Sequence, residues 1–255
     1  MKQSVVCKIL VIVVWISFIP LVGIAREKAD WEGGYPDGCT SVMVGKKASR
    51  DGSVMTSHTC DSHRTRSSFD IVPTKKYSKG EMVTMLKRID CDSLAMPAYQ
   101  YLAIGEIPQV VSTYGFINTA YPCMNEKQLA IGESTFGGRE CLRSDNGLID
   151  CQQLVRLMVE RCSTAREAIR MAGELTKKYG WIDQGECLTI ADKNEVWALE
   201  IVGPGKGNCG SIWVAQRVPD DHVSVNANGS RIRQIDLKKP DYFMASENVF
   251  KVAQD

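Results

Sequence analysis

The chain has 255 residues, of which 44% are apolar and 24% charged, and its formal net charge is +1. That length holds one sizeable core or two small domains, and the composition is that of an ordinary globular protein. Near-neutral charge, with no basic stripe carrying interleaved aromatics, argues against nucleic acid or an anionic membrane as partner.

Residues 1–25 read as a targeting segment. Lys2 and Lys8 precede an apolar run over 9–24, and Gly23-Ile24-Ala25 supplies the small residues a signal peptidase accepts. The competing reading, an uncleaved anchor, suits a longer run, and nothing after Ala25 is long and apolar enough to cross a bilayer. The expectation is a secreted or periplasmic protein with no stable membrane association once this segment is removed. Residues 26–38 are short, polar and rich in Gly and Pro, as in a connector or propeptide. Of ten cysteines, Cys7 falls in the targeting segment. The remaining number is odd, so at least one thiol has no partner within the chain. The others either pair, as an oxidising compartment favours, or stay reduced in the core.

Residues 37–53 predict a strand, a tight turn and a second strand, with Val42 and Val44 alternating against smaller or polar neighbours and Asp51-Gly52 marking the turn. Cys39 opens the first strand. Cleavage between Gly38 and Cys39 would place a thiol and a free α-amine on one residue. An amine of reference pKa ~8 is a fit base for a thiol of pKa ~8.5, and the pair makes a minimal acyl-transfer engine. Residues 54–59 continue the second strand and carry His58, Cys60, Asp61 and His63 to its far end. Short strands or loops are expected over 67–71, 82–86 and 99–104, paired strands over 110–114 and 115–117, and another over 129–131 after a turn at 125–127. The period then changes: 150–179 predicts two helices, the second opened by the capping box Thr164-x-x-Glu167 and closed by Gly180. Four successive antiparallel strands are expected over 187–191, 196–202, 210–216 and 222–226, with 192–194 as the first hairpin turn. From Pro240 a loop leads into a final helix. This order suits two packed sheets flanked by helices.

The run CTSVMVGKKASRDGSVM from Cys39 resembles the amino-terminal motif of peptidase family C69, the dipeptidase A group of N-terminal nucleophile (Ntn) hydrolases. The later stretches Met124-Asn125-Glu126-Lys127, 223–232 and 240–250 agree with it, so the likeness runs from Cys39 to the last residue. The resemblance implies an α+β fold, a four-layer αββα sandwich of two antiparallel sheets. Family members are usually much longer, which implies an incomplete carboxy-terminal part here.

The resemblance also implies roles. Cys39 is the nucleophile and, once freed, the base. Asn125 and Asn228 are the oxyanion donors, and Asp61 contacts the amine. Gln128 stands where the similar Asn-Glu-Lys-Gly turn of choloylglycine hydrolase-like enzymes has glycine. The main departure is His58-Thr59-Cys60-Asp61, where relatives carry Arg-Asn-Glu-Asp. A cation there lowers a thiol pKa, and His58 does so only when protonated; a purely structural role for His58 stays equally open. Cys60-Asp61-Ser62-His63 lacks a second ligand pair at metal-site spacing, so neither a metal nor an organic cofactor is expected. Asn228-Gly229-Ser230 fits a glycosylation pattern, against which its place near the site argues. The reading is a cysteine dipeptidase acting on dipeptides or short peptides, its Cys39 exposed by self-cleavage. An N-acyl amide hydrolase and an inactive, disulfide-stapled binding module are the alternatives, and a homo-oligomer stays open.

Overall fold

The computed structural model describes residues 38–61, 68–90 and 99–253. The expected targeting segment 1–25, the connector up to residue 37, His63 and Cys91 lie outside the described residues. In chain order the strands are β1 (Gly38–Val44), β2 (Met55–Asp61), β3 (Asp70–Val72), β4 (Lys75–Lys76), β5 (Met82–Asp90), β6 (Tyr99–Pro108), β7 (Ser112–Thr113), β8 (Phe116–Asn118), β9 (Pro122–Asn125) and β10 (Ala130–Gly137). Helices α1 (Cys151–Arg161) and α2 (Ala165–Tyr179) follow, then β11 (Gly185–Ala191), β12 (Val196–Val202), β13 (Ile212–Arg217), β14 (Val223–Asn226), β15 (Phe243–Ala245) and the short α3 (Val249–Ala253). The class is α+β, as expected.

An eight-stranded sheet runs β15-β13-β12-β11-β10-β9-β8-β3, and a three-stranded sheet runs β14-β1-β2. Alternation along the central strands explains how both faces of the large sheet are covered. Leu188 and Ile190 of β11, with Trp197, Leu199 and Ile201 of β12, join Leu154, Val155 and Met158 of α1 and Ile169 of α2 in the main core. The intervening Cys187, Ala191, Val196 and Ala198 pack with Met43 of β1. All seven residues of β11 are therefore buried. Each such aliphatic side chain contributes about 1.5–3 kcal/mol when fully buried. A helix cap contributes typically about 1 kcal/mol, so packing rather than capping holds α1 and α2 in place. The caps set the boundaries: Asp150 accepts from Gln153 N, and Thr164 accepts from Glu167 N. The reciprocal bond of the capping box lands one residue early, on Ser163 N. Among the described residues no helix covers the outer face of the three-stranded sheet, and none is long and apolar enough to cross a membrane.

Four expectations about pairing are corrected. β1 and β2 pair residue for residue from Gly38↔Asp61 to Val44↔Met55, but residues 45–54 form a long loop instead of a tight turn. Its Gly45 and Lys47 amides bond to the carbonyls of His222 and Asp220, contacts out of reach of a two-residue turn. Segments 112–113 and 116–118 do not pair with each other: β7 pairs with β4, and β8 lies between β3 and β9. Of the four successive strands only β11, β12 and β13 are neighbours. β14 crosses to the small sheet and pairs with β1, Ser41 opposite Asn226. Finally, the loop after Pro240 forms β15 on the edge of β13 before the last helix. The 82–86 and 99–104 segments extend into one long hairpin, β5–β6. Its Met85 and Ile107 are buried against Leu157 of α1, which anchors the hairpin beside the site.

Candidate active site

Cys39, Ser41 and Met43 lie opposite Cys60, His58 and Thr56. The 2-residue period of a strand points these pairs to one face, towards the large sheet. Thr56 reaches Thr189 of β11 through a 2.9 Å hydroxyl contact. Closer in, Gly132 of β10 makes room for β2: a Cβ there would lie 2.8 Å from His58 Cβ and 2.9 Å from Thr189 Oγ1.

This approach assembles a compact cluster. The thiols of Cys39 and Cys60 and a carboxylate oxygen of Glu133 all lie within 4.8 Å of one another. Cys39 Sγ is 3.7 Å from Glu133 Oε1, and His58 Nε2 is 3.8 Å from the same oxygen. The Cys39 backbone N–H donates to Asn228 Oδ1 at 2.7 Å. Asn228 is itself fixed on both sides, donating from Nδ2 to the Thr135 carbonyl at 2.7 Å and from its backbone N–H to Ser134 Oγ at 2.8 Å. It sits in the left-handed region, at φ 51°, a conformation asparagine tolerates better than most residues.

A polar cavity of about 180 Å³ shares Glu133 with this cluster and is lined also by Arg88, Tyr121, Asp150, Asp183 and Glu186, among others. Burial dominates its acid–base character. It raises the Glu186 carboxyl to about 10, helped by the charges of Asp183 and Glu133, and raises Asp150 to about 6. Glu133 is also raised by burial, partly offset by a hydrogen bond from Glu186. Glu186 thus keeps its proton and Glu133 is the carboxylate of the pair. The Arg88 guanidinium, carried in by β5, lowers Glu133, Asp150, Cys60 and Tyr121. Hydrogen bonding between the two thiols splits their affinities: Cys60 is pulled down to about 7, and Cys39 is pushed well up by that bond, by burial and by the Glu133 charge. Tyr121 stays a phenol, raised by burial and then by Glu133.

The structure brings Cys39, His58 and Asn228 together. Asn228 Oδ1 accepts the Cys39 N–H, and one of the two amide hydrogens of Asn228 is given to the Thr135 carbonyl. Asn125 is elsewhere and fully occupied. Its Nδ2 donates to the Val159 and Cys162 carbonyls at 2.8 Å each, and its Oδ1 accepts from Lys127 N and Leu129 N. It ties the β9–β10 turn to the end of α1, the structural role of a turn asparagine. In that turn Gln128 adopts φ 66°, the backbone conformation for which the similar turn uses glycine. Asp61 lies opposite Gly38 at the exposed end of β2, and the bond to the Cys39 nitrogen comes from Asn228 instead. Burial lowers the His58 pKa, only partly countered by Asp61, and so disfavours the charged imidazole. The cation is Arg88, from a different strand. Glu133, Glu186, Tyr121 and Arg88 went unread in the sequence, where no local spacing links them; the one available signal was Gly132-Glu133, a glycine inside a strand, which marks close backbone approach.

The eight described cysteines are free thiols, which favours the reduced over the paired reading of the cysteines. The fold is an α+β sandwich of antiparallel sheets, and the sequence comparisons give its family. The model of peptidase family C69 matches residues 38–255, and the chain belongs to that family. It is 31% identical over 226 residues to a probable dipeptidase of Latilactobacillus sakei, covering 83% of this chain and 43% of that one. It is 29% identical over 216 residues to probable dipeptidase B of Lactococcus lactis subsp. lactis (strain IL1403), covering 82% and 43%. Against dipeptidase A of Lactobacillus helveticus the identity is 26% over 217 residues, covering 83% and 44%. The chain thus spans less than half the length of these relatives.

Proposed function

We propose that this chain carries the nucleophile half of an exported cysteine dipeptidase that activates itself by cutting Gly38–Cys39. The carrying observation is the posture of Cys39: its nitrogen is held 2.7 Å from Asn228 Oδ1 while its thiol stands among Cys60, Glu133 and His58, and the same Glu133 lines a charged cavity.

In activation, Cys39 Sγ attacks the Gly38 carbonyl carbon, the C–N bond breaks, and the thiol proton passes to the departing Cys39 nitrogen. Water then hydrolyses the thioester and releases the Gly38 carboxylate. Asn228 Oδ1 continues to accept one amine hydrogen, which orients the nitrogen lone pair for proton transfer with Sγ. The new ammonium also opposes the charge of Glu133, lowering the thiol pKa that this carboxylate otherwise raises. In turnover, the thiolate attacks the dipeptide carbonyl, the amine protonates the leaving nitrogen, and water releases the acyl group.

The cavity supports a dipeptide over an N-acyl amide. Carboxyl groups at Glu133, Asp150 and Asp183 favour a cation, such as the α-ammonium of an unblocked peptide, and Lys87 and Arg88 in the lining suit the free carboxylate. The test is the amino-terminal mass of the full chain as purified, together with hydrolysis of a dipeptide and its N-acetylated form. The wild-type protein should begin at Cys39 and cleave only the unblocked peptide, and Cys39→Ala should retain residues before 39. A wild-type terminus upstream of Cys39, unchanged by the substitution, would overturn the proposal.

A further inference from the structure

The mechanism above uses Cys39 and leaves Cys60 without a task, although the register sets them directly opposite each other. The hydrogen bonds identify the kind of pair they form. Cys39 N–H points away from β2, to Asn228, whereas Thr40 N–H points towards β2, to Thr59 Oγ1 at 3.1 Å. Cys39↔Cys60 is therefore a non-hydrogen-bonded pair of the antiparallel ladder. Such pairs have Cα atoms about 4.5 Å apart and their side chains closest. That spacing falls within the roughly 4.4–6.8 Å over which a disulfide closes without backbone movement. Both side chains face the large sheet and both residues are half-buried free thiols.

We infer that Cys60 is the redox partner of Cys39: a low-molecular-weight disulfide converts Cys39 and Cys60 into an intramolecular cross-strand disulfide that takes the Cys39 sulfur out of reaction, and thiols restore it. One protein thiolate attacks a sulfur of RSSR, forming a mixed disulfide and expelling RS⁻. The opposite thiolate then attacks the protein sulfur of that mixed disulfide, forming Cys39–Cys60 and expelling the second RS⁻. The two thiol protons leave with the two RS⁻ as RSH, so RSSR is reduced as the pair is oxidised. Because the opposed strands hold the second thiol in place, the closing step is intramolecular and outruns trapping by further reagent. The thiolate available near neutral pH is that of Cys60, which makes it the first attacker. The regulatory meaning rests on Cys39 being the nucleophile; formation of the bond does not.

The full chain is treated with glutathione disulfide, quenched with an alkylating agent, and mapped by mass spectrometry. Dipeptide hydrolysis is followed before oxidation, after it and after dithiothreitol. The expected result is a Cys39–Cys60 cross-linked peptide, lost activity and its recovery on reduction. In Cys60→Ser the cross-link is absent and Cys39 carries glutathione instead. Wild-type protein in which both residues are alkylated or both glutathionylated, or in which Cys39 is joined to Cys151, would overturn the inference while leaving the dipeptidase reading intact. A Cys39–Cys60 bond in a protein inactive even when reduced would support the thiol pairing and count against the dipeptidase reading.

Discussion

Gly132→Ala tests whether close approach of the two sheets builds the site. Stacked sheets ordinarily sit about 10 Å apart, and here β2 comes near enough that one added methyl would lie 2.8 Å from His58 Cβ and 2.9 Å from Thr189 Oγ1. Neither neighbour is the tip of a flexible chain. His58 Cβ is bonded to the β2 backbone, and Thr189 Oγ1 is engaged with Thr56 Oγ1 and the Gly132 amide. Relief therefore requires β2 to retreat by several tenths of an ångström. Overpacking of this kind costs about 1–3 kcal/mol, and each kcal/mol lowers Tm by roughly 2–4 °C in a domain of this size. Thermal unfolding followed by circular dichroism should thus show a fall of about 2–12 °C. The same retreat carries Cys60 away from Glu133, so the Gly38–Cys39 cut should slow in the folded protein. An alanine variant with unchanged Tm and unchanged processing would refute the argument from sheet spacing.

Asn125→Ala should destabilise by about 3 kcal/mol or more, because it strands two carbonyls at the end of α1 and two amides of the β9–β10 turn, and the urea midpoint reads this. Folded Asn125→Ala should still process itself; a stable but unprocessed variant would restore the catalytic role expected from sequence. The carboxyl of Glu186 has its folded pKa raised from 4.5 to about 10, so its contribution is complete below about 4.5 and is lost as pH rises towards about 10. Glu186→Gln removes that loss, and its Tm advantage over wild type should grow from about pH 5 to about pH 9. A constant or shrinking difference would mean that the carboxyl is not desolvated as the geometry implies.

Local signals were read well where the physics is local. Helices α1 and α2 announce themselves by period, and the Thr164 cap forms the predicted bond to Glu167 N. The β1–β2 pairing and the 192–194 turn were equally visible, because adjacent strands need only alternation and a turn. Partner choice was not. The apolar pattern of 223–226 fits an edge beside β13 as well as a place beside β1, and only the tertiary packing decides between them. The site divides in the same way. Cys39, His58 and Asn228 sit on recognisable motifs, whereas Glu133, Glu186 and Arg88 converge from β10, β11 and β5 with no shared spacing. Asn125 shows the other difficulty: a turn asparagine and an oxyanion asparagine look alike in sequence until their bonds are counted.

The bond from Cys39 to Asn228 closes a sequence separation of 189 residues. During synthesis the first strand leaves the ribosome long before β14 and Asn228 exist, and at roughly 5–20 residues per second the wait is about 10–40 s. Until then β1 has only β2 beside it, and the residue that orients its cutting nitrogen has not been made. If Cys39 cuts its own chain as proposed, the order of translation protects a nascent chain from premature scission, and a chain exported during synthesis would leave as an uncut precursor.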